Sequence, residues 1–321
     1  MYDDPATDLP GLFTRARGDP LMRVMRARDP NLPAGPRLPP ILQSLSWVFR
    51  PIEFMNRSRE TYGNTFTISL AGMPPLVATG EPALIKEIFT GDPAVFNAGR
   101  GNLILKPILG AHSLLLLDGE RHLKERRLMM PAFHGERMQA YGDVMRASID
   151  RAIDGWPVER PFAIHAEMQE VTLDVILKTV FGVSPDADQT ALRRALVTML
   201  GFGEHPGLLL LISRKGELRL KSLHDRLGAW SPWGAFQKVI REVDRRIGEQ
   251  IADRRARGTT GREDVLSLLL DARDEEGRGL TDAELIDEMK TLLVAGHETT
   301  ATALTWTLLE LLRHQIGRAH V

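Results

Sequence analysis

The stretch LLVAGHETTATALTW, Leu292–Trp306, decides how this sequence can fold. Its apolar composition predicts a buried helix, yet within seven positions it holds Gly296, the neighbours His297 and Glu298, and three threonines. A glycine inside a helix costs about 1 kcal/mol relative to alanine, and threonine hydroxyls compete with backbone hydrogen bonds. A helix that keeps such residues needs a further reason for them.

The spacing places small residues along one stripe of this helix. At about 100° per residue, one face carries Leu292, Ala295, Thr299 and Trp306, with Gly296 beside it. A small polar ligand could approach the backbone there and take protons from the Thr299 hydroxyl and the Glu298 carboxylate. Close packing of a neighbouring helix on the small residues is the other interpretation, and the spacing leaves both open.

A zinc site is a third interpretation of the same stretch. His297 and Glu298 open the H-E-x-x-H pattern of zinc hydrolases. The second histidine of that pattern would fall at position 301, which is Ala301. No other ligand lies at a fixed spacing, so a metal hydrolase is disfavoured.

A second cluster lies in LLLLDGERHLKERRLMM, which begins at Leu114. His122 and Arg126 are four residues apart and therefore share one helical face, which Met129 continues. Such a pair suits a half-buried carboxylate, although a surface helix would show the same spacing. Another stripe, formed by Arg121, Lys124 and Arg127, is either solvated or a docking patch for an acidic partner protein.

Composition limits the remaining possibilities. The chain has 321 residues and a net charge of -1, which gives no general attraction to nucleic acid. It has no cysteine, and therefore no disulfide, cysteine-type zinc site or thiol nucleophile. The sequence lacks a signal peptide and a run of about 18 apolar residues, so we expect a cytoplasmic protein without a transmembrane anchor.

Residues that begin, end or interrupt helices predict a mainly α fold. Residues 1–40 form a proline-rich arm, and Ile41–Tyr62 has helical spacing. The runs Thr65–Leu70 and Pro75–Gly80 predict a small β hairpin, followed by a helix over Pro82–Gly91. Beyond Asp118 the chain is predicted to be helical near 118–130, 136–155, 163–182, 188–202, 233–257, 262–274 and 281–314. In the last of these, Thr281 and Glu284 form a capping box.

Two of these motifs together resemble a known family. AGHETT, Ala295–Thr300, resembles the oxygen-binding helix motif of the cytochrome P-450 haem-thiolate monooxygenases, and HLKER, His122–Arg126, resembles their haem-propionate helix. The arm, the hairpin and both motifs occur in the family's order over about residues 30–314. The resemblance implies the N-terminal two-thirds or so of the cytochrome P-450 fold, with a long central helix.

The resemblance also implies functional roles. Ala295 and Gly296 would border the dioxygen site, Thr299 would hydrogen-bond the oxygen ligand, and Glu298 would help bring protons in. His122 and Arg126 would hold a propionate of haem b (iron protoporphyrin IX). Electrons would come ultimately from NAD(P)H through a ferredoxin or flavodoxin that docks near Arg121, Lys124 and Arg127. Segments Asn97–Leu116 and Gly201–Leu211 would shape the pocket for a small apolar organic substrate.

The sequence departs from the family at one essential point. The family's iron ligand is a cysteine thiolate, which this chain lacks, together with the family's Glu-x-x-Arg helix. The final residues Gln315–Val321, QIGRAHV, break the helical pattern, and their codons can be written to match the start of a common short-read sequencing adapter. We therefore expect a cytochrome P-450 domain over 41–314, truncated and inactive, with a non-native tail over 315–321. A helical ligand-binding or regulatory protein without haem catalysis is the alternative.

Overall fold

The structure, a computed structural model, describes residues 30–135, 137–182, 187–203 and 232–314. These residues belong to two compact units, one that reaches Phe89 and one that begins at Thr90, and each is considered by itself. Predictions for residues 1–29, for most of Gly201–Leu211 and for Gln315–Val321 lie outside the described residues. The predicted domain boundaries at residues 40 and 314 stay predictions.

The first unit combines helices with a two-stranded antiparallel hairpin. Its helices are α1, Pro40–Phe49, α2, Pro51–Tyr62, and α3, Pro82–Thr90. Its strands are β1, Thr65–Ile68, and β2, Leu76–Thr79, paired from Thr65 with Thr79 to Ile68 with Leu76. The predicted hairpin is confirmed.

Arg50 interrupts the segment that the sequence predicts as one helix over Ile41–Tyr62. Its backbone has φ -143° and ψ 57°, and its N–H donates to the Ser46 carbonyl at the end of α1. A residue before proline is driven away from helical conformation, whereas Pro51 suits the first position of a new helix. The prediction of a single helix was therefore wrong at Arg50.

The end of the proline-rich arm is fastened to strand β1. The Thr67 N–H donates to the Ala34 carbonyl at 3.0 Å, and the Thr67 hydroxyl donates to the Pro33 carbonyl at 2.7 Å. A Cβ on Gly35 would lie 2.0 Å from the Thr67 carbonyl oxygen, so only glycine permits this approach. The described part of the arm is non-helical, in agreement with its proline content.

The second unit is almost wholly helical. Its helices are α4, Ala98–Gly101, α5, Lys106–Leu109, α6, Gly119–Met129, α7, Arg137–Asp154, α8, Ile164–Thr179, α9, Ala187–Gly203, α10, Pro232–Arg257, α11, Val265–Asp271, and α12, Asp282–Arg313. Short 3₁₀ turns lie at Asn102–Leu105, Leu114–Leu116 and Met130–Phe133. None of the described helices combines the length and the hydropathy that a membrane-spanning segment requires.

The core of the second unit forms where the long helix α12 packs against α8. Leu285, Met289 and Leu293 follow one another at intervals of four residues on α12, and all three are fully buried. Leu173 and Leu177 of α8 belong to the same apolar cluster. The helical period thus fixes which face of α12 turns inward.

The start of the long helix matches the sequence prediction. The Thr281 hydroxyl accepts a hydrogen bond from the Glu284 N–H, and the Glu284 carboxylate accepts one from the Thr281 N–H. These two bonds form the predicted capping box, which satisfies backbone donors that the first helical turn would otherwise leave unpaired.

A buried ion pair joins α10 to the beginning of α11. Arg254 Nη1 lies 2.5 Å from Asp264 Oδ1, and Arg254 Nη2 donates to the Phe181 carbonyl at 3.0 Å. Asp264 also accepts from the Ser267 N–H at 2.9 Å and so caps α11. This cap explains why α11 begins at Val265 and not at the predicted residue 262; the helix also ends before the predicted residue 274, at Asp271.

We expect Asp264→Ala to lower the free energy of unfolding by about 3–5 kcal/mol, because it leaves the Arg254 guanidinium buried without its partner. Asp271→Ala, on the exposed end of the same helix, serves as the control and should change stability by less than about 0.5 kcal/mol. Urea unfolding followed by circular dichroism measures both variants. Equal stability of the two would contradict the importance of this ion pair.

Candidate functional site

The long helix leaves one narrow face of small residues open. Ala295, Thr299 and Ala303 are exposed, and the Trp306 side chain at the end of this face is 59% exposed. Leu293 and Ala301, on the opposite face, are fully buried. The stripe predicted from the helical period therefore exists as a continuous exposed surface, with Leu292 half-buried at its beginning.

Gly296 does not share the open face with Ala295. A Cβ added at Gly296 would lie 3.4 Å from the Cδ1 atom of Ile176 on α8. The glycine thus lets α8 pack closely against the long helix, which is the packing interpretation that the spacing had left open. The structure separates the two small residues, since Ala295 faces outward and Gly296 faces a neighbouring helix.

Thr299 keeps its hydroxyl close to the helix backbone. Its Oγ1 donates to the Ala295 carbonyl at 2.6 Å. A threonine hydroxyl has one proton and two lone pairs, so in this rotamer it presents lone pairs outward. Thr299 can therefore accept a hydrogen bond from a ligand or a water on the exposed face without breaking its internal bond.

The Glu298 carboxylate turns toward α8. It accepts a hydrogen bond from Gln169 Nε2 at 2.9 Å, and its other oxygen lies 3.3 Å from His165 Nε2. The Thr302 hydroxyl, one turn further along the long helix, donates to the same carboxylate at 3.3 Å. About half of the Glu298 side chain remains exposed, so the group is held by protein atoms while it still meets solvent.

These contacts set the charge state of Glu298. Partial burial alone would raise the pKa of its carboxyl. The hydrogen bond from Gln169 and the nearby His165 and His297 side chains outweigh that effect, and the net pKa lies below its ordinary value of 4.5. Glu298 is therefore a carboxylate at neutral pH.

Gln169 links the two adjacent polar residues of the long helix. Its side-chain amide binds Glu298, while its backbone carbonyl lies 3.1 Å from Nε2 of the buried His297. Sequence reasoning missed both Gln169 and His165. No local signal could have found them, because Gln169 is 129 positions from Glu298 and only the packing of α8 brings them together.

His122 and Arg126 lie on one face of α6, as predicted. His122 is half-buried and Arg126 is exposed. In the part of the chain that the structure describes, neither side chain has a hydrogen bond or an ion pair with the protein. The pair therefore remains available for an anionic ligand such as a carboxylate.

The predicted docking stripe is largely neutralised by neighbouring acids. Arg121 Nε lies 3.2 Å from Glu125, and Lys124 Nζ lies 2.7 Å from Asp274 and 3.0 Å from Glu276. Arg127 is exposed and has no ion pair among the described residues. Of the three predicted docking residues, Arg127 therefore offers the most accessible positive charge.

A cavity of about 870 Å³ lies beside this stripe, between α6 and the 272–276 segment. Both basic and acidic side chains line it, among them Arg127, Arg137, Asp271 and Glu275. It includes none of the residues of the Ala295–Thr299 face. The candidate site on the long helix therefore does not line this cavity.

The described residues fit a haem in two respects. The open face of the long helix carries only small side chains at Ala295, Thr299 and Ala303, so a flat apolar group could lie close to it. His122 and Arg126 could hold carboxylates of such a group through charge-assisted hydrogen bonds. The thiolate ligand of the iron is not among them, because the chain contains no cysteine.

Solved structures with a similar fold include the following two. A retinoic acid-bound cyanobacterial CYP120A1 aligns with a TM-score of 0.66 at 23% identity, covering 88% of this chain and 61% of that one. The cytochrome P-450DA heme domain aligns with a TM-score of 0.62 at 22% identity, covering 88% and 60%. At such identities these alignments establish the fold, which is the predicted cytochrome P-450 fold.

Relatives identified by sequence establish more than the fold. A protein named cytochrome P-450 135B1 of Mycobacterium tuberculosis is 38% identical over 290 residues, which are 90% of this chain and 59% of the relative. Cytochrome P-450 135A1 of the same organism is 37% identical over 286 residues, 88% of this chain and 60% of the relative. The chain thus spans about 60% of the length of these relatives. Because the sequence model of the cytochrome P-450 family also matches residues 33–316, the chain belongs to the cytochrome P-450 family.

Proposed function

We propose that the full-length protein containing this sequence is a haem-dependent monooxygenase. It would insert one atom of O2 into a small apolar organic substrate and reduce the other to water, consuming two protons and two electrons that come ultimately from NAD(P)H. The observation that carries this proposal is the exposed Ala295–Thr299 face of the long helix in a chain of the cytochrome P-450 family. A cytoplasmic location is part of the same proposal.

Haem b, when bound, would supply the dioxygen-activating chemistry. His122 and Arg126 would hold it by its propionates, since both side chains lie on one face of α6 without partners among the described residues. Arg126 brings a permanent positive charge, and half-burial of His122 restricts competition from water. Ala295 would leave room for dioxygen, and Gly296 would keep the long helix close to α8.

Thr299 and Glu298 would help to deliver protons to the face of the long helix where dioxygen would bind. The lone pairs of the Thr299 hydroxyl can order a water on the exposed face while its O–H donates to the Ala295 carbonyl. Glu298 is ionised and half-exposed, so it would take a proton from solvent only transiently, since its lowered pKa favours prompt release along the helix surface. Controlled delivery matters because misplaced water would divert reducing equivalents from the substrate.

Thr299→Val should uncouple the full-length, haem-loaded enzyme, because valine keeps the side-chain shape but cannot order water. We expect the ratio of product to NAD(P)H consumed to fall several-fold, with a matching rise in hydrogen peroxide. Thr300→Val, a neighbouring exposed threonine, is the matched control and should stay coupled. Unchanged coupling in Thr299→Val would rule out this role for the hydroxyl.

The charge state of Glu298 can be measured directly in the chain. Carbon-13 NMR of labelled glutamate carboxyls, with Glu298→Gln for assignment, should give a titration midpoint for Glu298 below 4.5. Gln169→Leu should move that midpoint upward, because it removes a hydrogen bond to the charged form. A carboxyl whose pKa is lower in the folded than in the unfolded chain stabilises the fold at pH values above the unfolded pKa. This small contribution should be lost as the pH falls through the folded-state midpoint of Glu298. A midpoint above 4.5 would disprove the contact network.

The chain by itself should not show the spectrum of a haem thiolate. We propose that it is inactive alone, since none of its 321 residues is a cysteine that could ligate iron. Mixed with haem, reduced and exposed to carbon monoxide, it should lack the Soret maximum typical of thiolate ligation. Appearance of that maximum would refute the proposal.

Electron delivery would come from a ferredoxin or flavodoxin. Of the three predicted docking residues, Arg127 is the one with an exposed charge and no ion pair within the described ranges. Arg121 and Lys124 lie beside it, but their charges are shared with Glu125, Asp274 and Glu276. We therefore place the centre of the docking surface at Arg127, because partly neutralised charges steer a partner less strongly.

A further inference from the structure

Three consecutive residues of the segment before α6 are held by the long helix. The His112 N–H donates to Asp287 Oδ2 at 2.9 Å, and the Leu114 N–H donates to Glu288 Oε1 at 2.6 Å. Between them, the hydroxyl of the fully buried Ser113 lies 2.7 Å from the Thr291 hydroxyl. The same face of the long helix thus binds two backbone groups of His112–Leu114 and the Ser113 side chain, and it also contacts the His112 ring.

The contacts leave no room for adjustment at Asp287. Its Oδ2 also lies 3.0 Å from His112 Nδ1, and its Oδ1 lies 3.2 Å from Nζ of the buried Lys290. A Cβ on Gly110 would come within 1.9 Å of the Asp287 carboxylate, and Gly110 has a φ of +89°. Only glycine allows both this backbone conformation and this approach.

Glu288 is fully buried, and its surroundings favour the protonated form. Burial raises the pKa of its carboxyl to about 8, although the hydrogen bond from the Leu114 N–H acts in the opposite direction. The carboxyl groups of Glu125, Asp287 and Glu284 also raise the pKa of Glu288, because each disfavours a second negative charge. Glutamine is therefore a close mimic of Glu288 at pH 7, since it is neutral and keeps the accepting oxygen.

Apolar residues lie on both sides of the clamped segment, and some of them face outward. Ile104, Ile108 and Leu114 pack against the main core, while Leu103 is 53% exposed and Leu115 is 37% exposed. An apolar ligand could contact such side chains. We call the exposed side chains of Leu103 and Leu115 the apolar wall. Movement of His112–Leu114 would therefore displace this wall.

We propose that Asp287, Glu288 and Thr291 are positioning residues that fix the stretch Asn102–Leu117 and so determine which apolar substrates fit beside it. The part of this proposal that concerns substrate rests on the proposed monooxygenase function. The clamp itself involves only the protein and can be tested without haem.

Hydrogen exchange of the full chain at pH 7, followed by mass spectrometry, tests the clamp. Glu288→Leu and Thr291→Val should each speed exchange across residues 102–117 by about tenfold or more, because each removes a buried hydrogen bond. Glu288→Gln and Thr291→Ser should restore slow exchange to within about twofold of the parent, because both keep the hydrogen-bonding group. Residues 164–179 of α8 report on general unfolding and should not change.

Glu310→Leu is the matched control, since it introduces the same side chain at a half-exposed glutamate of the same helix. It should leave residues 102–117 unchanged. The proposal fails if Glu288→Leu exchanges like the parent, if the increase is equal in residues 164–179, or if it stops at residues 112–114.

Ligand binding to the full-length haem protein tests the consequence for specificity. We would titrate n-octylamine, whose alkyl chain needs the apolar wall, against imidazole, which does not. Glu288→Leu should weaken n-octylamine by about tenfold and leave imidazole unchanged, while Glu288→Gln should bind both like the parent. Equal n-octylamine affinity in all variants overturns the role in specificity. Failure to bind even imidazole would instead count against the monooxygenase function, whereas the exchange result would stand.

Discussion

Burial of one stripe of the long helix is the constraint on which the second unit depends. Leu285, Met289, Leu293 and Ala301 repeat at multiples of four residues, and all are fully buried. Their removal from water fixes the rotation of the helix about its axis, so Ala295 and Thr299 must face outward. The candidate site therefore lies on the side of the long helix opposite the core. A change in the packing of the buried side would displace Ala295 and Thr299 on the exposed side.

Buried polar groups fix the places where this helical core meets its loops. Arg254 with Asp264 ties α10 to α11, and Glu288 with the Leu114 N–H ties the long helix to the segment before α6. Apolar contacts tolerate small sliding movements, whereas a buried hydrogen bond must be made at one geometry or left unmade at a cost of about 1–3 kcal/mol. Removal of one partner of a buried ion pair is therefore costly, even where the intact pair adds little net stability.

The candidate site shows how far residue patterns reach. The motif Ala295–Thr300 indicated a helix with small residues along one face, because helical period and side-chain size are local properties, but it left open whether that face is packed or exposed. The same pattern did not reveal that Gly296 faces Ile176, or that Glu298 turns to Gln169 and His165. Nor did the stripe of Arg121, Lys124 and Arg127 show that acids from a distant loop neutralise part of it.

The sequence by itself determined the class of fold, the family and most element boundaries. Prolines, glycines and caps such as Thr281 act within a few residues, so their effect on the backbone can be read from spacing. Even the break at Arg50 follows a local rule, that of the residue before proline. Only the tertiary structure decided which polar groups meet, because Gln169 and Glu298 are 129 positions apart and Leu114 and Glu288 are 174 apart. Their pairing follows from helix packing and loss of water, which depend on the whole core and on no single stretch of sequence.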